Sequence, residues 1–265
     1  MSVPKNPEKY NGKAVIEPAG VIIERKKAGL YPTTPIPTGA IICYDYWLWQ
    51  WICTLPERVD CDGWLKGSYL LQQNDSHILV IKASGFGAPT AVMSLEELTA
   101  YGINNFINLG TAGGLQKDMN VGDIVVCESA IRDEGTSHHY MPDEKYAYAS
   151  KNLTAELVTA IEKRGIIFRK GTSWTTDAVY RETVEELKQY RSEGVLTVEM
   201  EAAALFAVGS FRKVNVSSVF SVSDILTEVG WNQGYHSEEK LDGLKQIFKA
   251  TLEAIAINKN TGKSR

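Results

Sequence analysis

Cysteine is scarce in this sequence: 265 residues contain four, and none forms a CxxC pair that would indicate a metal site or a redox centre. The first residues also lack the apolar core of a secretory signal. We therefore expect reduced thiols and a cytoplasmic protein. The adjacent histidines His138 and His139 have no companion cluster at metal-ligand spacing, so we expect no metal and no other cofactor.

An excess of positive charge and a long hydrophobic run are lacking too. Lysine and arginine number 28 against 32 acidic residues, a formal charge of −4, which offers no electrostatic attraction for nucleic acid or an anionic membrane. An aromatic stretch, residues 39–55, is interrupted by Asp45 and Gln50 and is too short to span a bilayer comfortably. We interpret it as a buried strand leading into a helix. This composition favours a globular protein that acts on a small molecule.

The distribution of proline divides the chain. Six of the nine prolines lie within the first 38 residues, so we expect residues 1–38 to be a mostly irregular lead-in to one domain at 39–265. Beyond it, β-branched runs alternate with amphipathic segments, which predicts an α/β fold with helices on both faces of one sheet. The predicted strands are 77–83, 104–109, 123–131 and 217–223, and the predicted helices are 94–102, 150–165, 183–194 and 237–257.

Three short segments come directly after predicted strands: SGFGAPT (84–90), GTAGGLQ (110–116) and SDIL (223–226). Glycines let a backbone approach a ligand and point N–H groups at anionic oxygens, although such turns also occur for steric reasons alone. The P-loop pattern GxxxxGK[ST] is absent. A fourth segment, VEMEAAALF (198–206), places two glutamates where an apolar helix begins, and glutamate is almost never fully buried without a partner.

In order along the chain, the motifs GxGxPT, EEL followed by GI, GTxGGLQ, VGDIVV, VEMEAA and SD resemble the nucleoside phosphorylase family. The similar branch holds uridine phosphorylases, hexameric purine nucleoside phosphorylases and methylthioadenosine nucleosidases, and the resemblance runs from about residue 77 to about residue 226. It implies a single three-layer α/β/α domain with a central mixed, partly barrel-like sheet. It also implies a homo-oligomer, either a dimer or a hexamer, that cleaves the N-glycosidic bond of a nucleoside.

That reaction needs a clamp on the sugar, a partner for the leaving base and a nucleophile at the anomeric carbon. By resemblance, Asp224 is the catalytic acid at the imidazole nitrogen of a purine. The ribose-binding residues are Glu201, Met200 and Thr111. The base-binding residues are Ala112, Gly113, Val179 and Glu199. The phosphate or nucleophile region comprises Gly85, Gly87, Thr90, Gly110 and Thr111.

Simpler alternatives exist for the acidic residues. Both glutamates could cap the helix that begins beside them, where the helix dipole favours acids, and Glu199 could brace the loop rather than line the base pocket. Asp224 could be an N-cap aspartate after a strand. For Glu201 we favour the ribose clamp, because an ionised carboxylate can accept from both ribose hydroxyls at once.

Base selection is indicated by the residues after the segment 171–180. Pyrimidine-specific relatives carry a Gln-x-Arg pair there, and this sequence has RETVEEL instead. The resemblance therefore favours a purine. Val179 falls where many relatives stack an aromatic ring on the base, and Trp174 or Tyr180 could compensate for it.

The family's phosphate-binding arginines are missing. The stretch ICYDYWLWQ (42–50) has none, Asn108 stands where another is expected, and KGSYLLQQ (66–73) offers none to a neighbouring subunit. Three alternatives remain open. The first is a phosphorylase that uses phosphate as co-substrate and other cations, such as Arg132 or the Arg25–Lys27 cluster. The second is a hydrolytic nucleosidase whose water is oriented by Asp45. The third is a non-catalytic nucleoside-binding or storage protein.

Overall fold

The computed structural model describes residues 6–73 and 76–258. The strands are β1 Gly39–Cys43, β2 Arg58–Asp60, β3 Ser68–Gln73, β4 Ser76–Lys82, β5 Asn105–Gly114, β6 Ile124–Asp133, β7 Tyr146–Tyr148, β8 Phe168–Thr176, β9 Thr197–Glu199, β10 Asn215–Thr227 and β11 Gly230–Gln233. The helices are α1 Pro18–Lys27, α2 Tyr46–Ile52, α3 Ala88–Ala100, α4 Lys151–Lys163, α5 Val184–Ser192, α6 Ala202–Arg212 and α7 Glu238–Asn258. Short 3-10 turns lie at Pro7–Tyr10, Ser137–His139 and Val179–Arg181.

These strands form one mixed sheet in the order β11-β10-β6-β8-β9-β5-β1-β4-β3-β2, with β7 beside β6. Strand β10 pairs with β5 as well as with β6. This second pairing closes β10, β6, β8, β9 and β5 into a five-stranded barrel-like ring. The predicted mixed, partly barrel-like sheet is therefore confirmed.

Strand β5 shows why helices cover both faces of the sheet. Because side chains alternate along a strand, Phe106 packs into an apolar cluster with residues of α3 and α6, whereas Ile107 and Leu109 pack into a second cluster with residues of α4 and α7. Helix α6 is buried along most of its length, from Ala202 to Gly209, as its AAALFAVG sequence requires. The three-layer arrangement predicted from the sequence is present.

The predicted elements are found, but two strands are longer than expected. β5 continues through Gly114 and β10 through Thr227, so segments predicted to be turns are strands. The reason is mutual pairing: Gly110 lies opposite Phe220, and Gly114 lies opposite Ile225. The capping box predicted at the start of α5 is confirmed, with Thr183 and Glu186 bonded reciprocally.

The N-terminal segment differs from its interpretation as mostly irregular, because residues 18–27 form α1. Pro18 occupies the first helical turn, where a missing N–H costs nothing. Arg25 donates to the carbonyl oxygens of Gly63 and Trp64, both at 3.2 Å, which fastens α1 to the domain. Residues 1–5 of this lead-in lie outside the described residues, and its boundary at residue 38 stays a prediction. No helix in the described ranges has the length and hydropathy needed to cross a membrane.

Candidate active site

The carboxyl ends of four strands lie side by side at one edge of the sheet. β1 runs parallel to β4 and β5, and β5 runs parallel to β10. The residues at or just beyond these ends are Tyr44, the loop 83–87, the stretch Gly110–Gly113 and Asp224. The sequence segments 84–90, 110–116 and 223–226 are thereby brought together. In α/β sheets this is the edge where ligands bind.

Glu201 is turned away from its own helix. It occupies the N-cap position of α6 without making a side-chain capping bond. Its Oε1 instead accepts a 2.6 Å hydrogen bond from the backbone N–H of Gly87, which has a φ of +96° that favours glycine. The side chain is 7% exposed. Burial, with the charge of Glu199 second, raises the pKa of Glu201 to about 8.

Glu199 does the capping instead. Its Oε2 accepts from the backbone N–H groups of Glu201 at 2.9 Å and Ala202 at 2.8 Å, at the first turn of α6. Its Oε1 accepts from the hydroxyls of Thr175 and, at 3.4 Å, Ser173. Burial raises the pKa of Glu199. Of the two alternatives weighed for Glu199, these bonds agree with the brace, and they leave Glu201 free of capping.

Asp224 lies within β10 and is not an N-cap residue. The β10–β5 pairing shifts by one residue between Val222 and Asp224, so that Asp224 lies opposite Gly113. The indole N–H of Trp231 donates to Oδ2 of Asp224 at 2.7 Å, and the hydroxyl of Ser223 donates to Oδ1 at 2.6 Å. Asp224 is buried, and both of its oxygens are held in place.

Gly113 lies between strand β9, which ends at Glu199, and strand β10, which carries Asp224. It pairs with Val198 of β9 on one side and with Asp224 of β10 on the other. A Cβ on Gly113 would lie 3.1 Å from Val198 Cγ1 and 3.2 Å from Asp224 Oδ2. Neighbouring strands are about 4.8 Å apart, so β9 and β10 are separated by roughly 10 Å across this glycine.

Glu182 is another acidic residue whose pKa is affected by the charge of Asp224. It comes after the 3-10 turn Val179–Arg181 and before α5, and its side chain is half-buried. Burial, followed by the charge of Asp224, raises the pKa of Glu182 to about 7. Tyr235 is a third member of this group, because burial and then the charges of Asp224 and Glu182 raise its pKa to about 12.

The other residues predicted to line the site differ in their exposure. Val179 is exposed in its 3-10 turn, Met200 and Thr111 are half-buried, and Ala112 is buried in β5. The Oγ1 of Thr90, in the first turn of α3, lies 3.9 Å from the Cβ position of Gly85 in the preceding loop.

The two aromatic residues considered as substitutes for a ring at Val179 behave differently. Trp174 is buried in a third apolar cluster and donates its indole N–H to Asp133 at 2.9 Å. It therefore cannot replace an aromatic ring stacked on the base. Tyr180, by contrast, is fully accessible.

The cations considered as substitutes for the missing arginines have other partners. Arg132 is 5% exposed, and its guanidinium donates to Ser137 and to three backbone carbonyls of residues 141–144. Arg25 is bonded to the carbonyls of residues 63 and 64, near α1.

Asp45, considered as the residue that orients water, caps α2 through Oδ1 and forms a 2.7 Å ion pair with Lys240 through Oδ2. These three proposals from the sequence are not supported by the geometry.

Two neutral side chains carry a buried polar atom without a hydrogen-bond partner among the described residues: one lies in the stretch 42–50, which lacks the expected arginine, and the other stands at the second expected arginine position. They are the Tyr44 hydroxyl and the Asn108 Oδ1. The Tyr44 ring packs over Gly110, 3.4 Å from the Cβ position of that glycine. Burial, then the charges of Glu201 and Glu199, raises the pKa of Tyr44.

Sequence reasoning missed four residues of this site: Tyr44, Thr175, Glu182 and Trp231. Thr175 carried a weak signal, since it lies on a strand flanked by other hydroxyl residues. No sequence signal indicated Trp231, because only the folding of the β10–β11 hairpin brings it next to Asp224. In the part of the chain that the structure describes, no group of three or more His, Cys, Asp or Glu residues is arranged to hold a metal ion.

Known proteins share both the sequence pattern and the architecture of this chain. A family model described as Phosphorylase superfamily matches residues 68–255. A guanosine phosphorylase of Halorubrum lacusprofundi is 33% identical over 220 residues, which cover 76% of this chain and 89% of the relative. A DeoD-type purine nucleoside phosphorylase of Bacillus cytotoxicus is 31% identical over 176 residues, 66% of this chain and 74% of the relative.

A solved structure shares the fold. The purine nucleoside phosphorylase of Toxoplasma gondii, crystallised in complex with immucillin-H, superposes with a TM-score of 0.74 at 21% sequence identity. The match covers 85% of this chain and 93% of that chain. At this identity the likeness concerns the architecture alone.

Proposed function

Because the chain belongs to the phosphorylase superfamily, we propose that it cleaves the N-glycosidic bond of a purine nucleoside by phosphorolysis, releasing the free base and (deoxy)ribose 1-phosphate. The observation that carries the proposal is the pairing of Gly113 with β9 on one side and with β10 on the other. It sets the segment of Glu201 on one side and Asp224 on the other. The names of the relatives, guanosine phosphorylase and purine nucleoside phosphorylase, support the same reaction.

Glu201 is the ribose clamp in this proposal. Its Oε1 is held by Gly87, so that Oε2 can accept from the ribose hydroxyls without the side chain changing its rotamer. Met200 and Thr111 flank it. Glu199 fixes the backbone of Glu201 by accepting a hydrogen bond from its N–H group. A clamp fixed in this way lowers the entropy that the sugar must lose at the transition state.

Asp224 serves the leaving base. A nucleophilic oxygen attacks the anomeric carbon, the bond from carbon to base breaks, and its electron pair passes to the base. Protonation of the imidazole nitrogen by Asp224 neutralises the charge that develops there, a contribution typical of general acids. Trp231 and Ser223 keep the carboxyl group aimed at the base. Ala112, Gly113 and Val179 line the base subsite.

The nucleophile region lies between the loop 83–87 and Gly110, with Gly85, Thr90 and Thr111 beside it. The 13-residue helix α3 begins at Ala88, directly after Gly87. The positive end of its dipole, with unpaired N–H groups of the first turn, favours an anion at this point. This is what supports phosphate as co-substrate although the expected arginines are absent.

Hydrolysis is the second candidate, and a specific observation favours it. Asn108 stands where one arginine is expected, and Tyr44 lies in the stretch that lacks another; both side chains are neutral and have a buried polar atom to satisfy. A neutral pair suits water better than a phosphate dianion, since charge-assisted bonds to phosphate are roughly twice as strong as neutral ones.

A single assay separates the candidates. The protein is incubated with inosine, guanosine, adenosine and uridine, with and without phosphate, and base release is measured by chromatography. We expect purine release that requires phosphate and yields a sugar phosphate. Release independent of phosphate would favour hydrolysis. Nucleoside binding by calorimetry without release would favour a binding or storage protein, and release from uridine alone would contradict the purine assignment.

The proposal includes a homo-oligomer, a dimer or a hexamer, in the cytoplasm. The exposed aromatic side chains Trp47 and Phe86, on segments next to the site, support association. The four unpaired cysteines support a reducing compartment. Light scattering on the purified protein tests the assembly, and a monomer at micromolar concentration would contradict it.

A further inference from the structure

Tyr44 has a buried hydroxyl group that makes no hydrogen bond with any residue of the ranges 6–73 and 76–258. The proposed reaction gives this side chain no role. Buried hydroxyl groups normally have a partner, because an unbonded polar group in the interior destabilises the fold. The hydroxyl of Tyr44 is therefore a donor that is available to a ligand.

The backbone places Tyr44 at the edge of the sheet where the site segments meet. Tyr44 comes directly after β1, and Cys43 pairs in parallel with the residue before Gly110, so Tyr44 lies beside Gly110. The carbonyl oxygen of Cys43 accepts a 2.8 Å hydrogen bond from the N–H of Ala83, where the loop 83–87 begins. Tyr44 is thus next to both segments of the nucleophile region.

The side chain of Tyr44 lies on the face of the sheet that α3 and α6 cover. Its Cδ2 and Cε2 are 3.4 Å and 4.0 Å from the Cβ position of Gly110, and the ring packs against the apolar cluster formed with residues of α3 and α6. Both helices begin at this edge, since Gly87 is the N-cap of α3 and Glu201 is the N-cap of α6. The 2.6 Å bond between Gly87 and Glu201 joins the two helix starts.

We propose that the Tyr44 hydroxyl donates to an oxygen of the phosphate co-substrate, which it binds together with the N-terminal end of α3. The inference rests on the proposed function, because it takes the nucleophile region to lie between the loop 83–87 and Gly110. No side chain caps α3, so N–H groups of its first turn are left for an anion. An anion there needs a further donor, and Tyr44 supplies one.

The chemistry of the hydroxyl group fits this role. Burial, followed by the charges of Glu201 and Glu199, raises the pKa of Tyr44, so the group keeps its proton and remains a donor at neutral pH. Asn108 does not fit, because its unpaired atom Oδ1 only accepts and its amide nitrogen already donates to Ser218 at 3.2 Å.

Tyr44→Phe removes the hydroxyl and keeps the ring over Gly110. Initial rates of purine nucleoside cleavage are measured with phosphate varied at saturating nucleoside, and then with nucleoside varied at saturating phosphate. We expect the phosphate KM to rise about tenfold or more, as for the loss of a hydrogen bond to a charged group, and the nucleoside KM to stay unchanged.

Tyr101→Phe is the matched control. Tyr101 is buried in the same apolar cluster, at the opposite end of α3, and its hydroxyl donates to the Gly63 carbonyl at 3.4 Å. This variant should leave both KM values as in the wild type.

Thermal unfolding tests the same bond without turnover. In the absence of phosphate, Tyr44→Phe should be at least as stable as the wild type, because it removes an unpaired buried hydroxyl. Added potassium phosphate should raise the Tm of the wild type more than that of Tyr44→Phe. Potassium chloride at equal ionic strength is the control for the effect of salt.

An equal phosphate KM in the wild type and in Tyr44→Phe, or an equal rise of Tm, would overturn the proposal. A rise of both KM values would do so too, because it would show that Tyr44 shapes the whole site. A wild type that phosphate neither activates nor stabilises would also contradict it. If phosphate stabilises the wild type more than Tyr44→Phe but base release does not depend on phosphate, the proposed function fails and the phosphate site stands.

Discussion

The backbone N–H of Gly87 donates a 2.6 Å hydrogen bond to Oε1 of Glu201, 114 residues further along the chain. The bond ties the loop after β4 to the first residue of the buried helix α6. It fixes a carboxylate at the edge of the sheet without help from a cation. The loop at Gly87 and the start of α6 are therefore joined directly.

Glu201→Gln tests the clamp. The amide keeps an oxygen for Gly87 but presents its NH₂ group to the ribose hydroxyls, so that above about pH 8, where Glu201 is ionised, one charge-assisted bond is lost. Such bonds contribute about 1.5–3 kcal/mol, and we expect nucleoside affinity to fall roughly 10- to 100-fold. Calorimetry with a nucleoside and with its free base measures this. The free base should bind as to wild type, and an equal loss for both ligands would contradict the assignment.

The same variant should be more stable than wild type at alkaline pH. The pKa of Glu201 is raised from its ordinary value of 4.5 to about 8, so the folded chain holds this proton more tightly than the unfolded chain. Stability from this group is fully present below pH 4.5 and declines as the pH rises towards 8. The decline is on the order of a few kcal/mol, and Gln does not titrate. Thermal unfolding at several pH values should show the two curves separating with rising pH, whereas parallel curves would contradict a buried acid.

Asp224→Asn should lose turnover and keep the fold. The Trp231 and Ser223 bonds can be retained by the amide oxygen and by rotation of the hydroxyl, but the proton for the base is gone. General acid catalysis contributes about 10²- to 10⁴-fold, and we expect a loss of kcat in this range with little change in nucleoside KM. Single-turnover kinetics with a purine nucleoside measures it. Full activity in this variant would remove Asp224 from the mechanism.

The order of elements and the main site segments were predictable, because they depend on local patterns. Strand and helix periodicity located β4, β5, β6 and β10, and the glycine and SD motifs located the edge where they meet. The sequence did not show which of Glu199 and Glu201 caps α6, since both lie where that helix begins. The hydrogen bonds show that Glu199 caps α6 and that Glu201 accepts from Gly87 instead.

Thr175 is predicted to stabilise the position of Glu201 indirectly, through Glu199 and the first turn of α6. Its hydroxyl donates to Glu199 and accepts from Ala203 N–H at 3.0 Å. Thr175→Val keeps the shape but leaves both partners short of a bond in the interior, which costs about 1–3 kcal/mol. We expect a lower free energy of unfolding and a higher nucleoside KM.

Thr172→Val is the matched control for Thr175, since Thr172 lies on the same strand and its hydroxyl meets Ser129 instead, at 2.8 Å. This variant should leave the nucleoside KM unchanged. Denaturant unfolding and steady-state kinetics measure the two effects. A change in KM of equal size in both variants would mean that Thr175 has no special relation to the clamp.

The buried ion pair between Lys240 and Asp45 is predicted to hold α7 against the end of β1. Lys240 is 2% exposed, and its Nζ also donates to the Tyr235 carbonyl at 2.7 Å. Lys240→Met leaves the charge of Asp45 uncompensated, and breaking one side of a buried pair costs about 3–5 kcal/mol. Adding Asp45→Asn should recover part of this loss in a double-mutant cycle, because the amide still caps Leu48. Additive losses would show that the two charges do not depend on each other.

The one-residue shift of register in β10 has a consequence for how this site tolerates change. Between Val222 and Asp224 the strand contains one residue more than its partner, and this extra residue decides which way every later side chain of β10 points. The direction of the Asp224 carboxyl group therefore depends on this extra residue as well as on the bonds from Ser223 and Trp231. Deleting Ser223 would remove the extra residue and leave Asp224 opposite Gly113, but it would also remove the hydroxyl that donates to Oδ1 of Asp224.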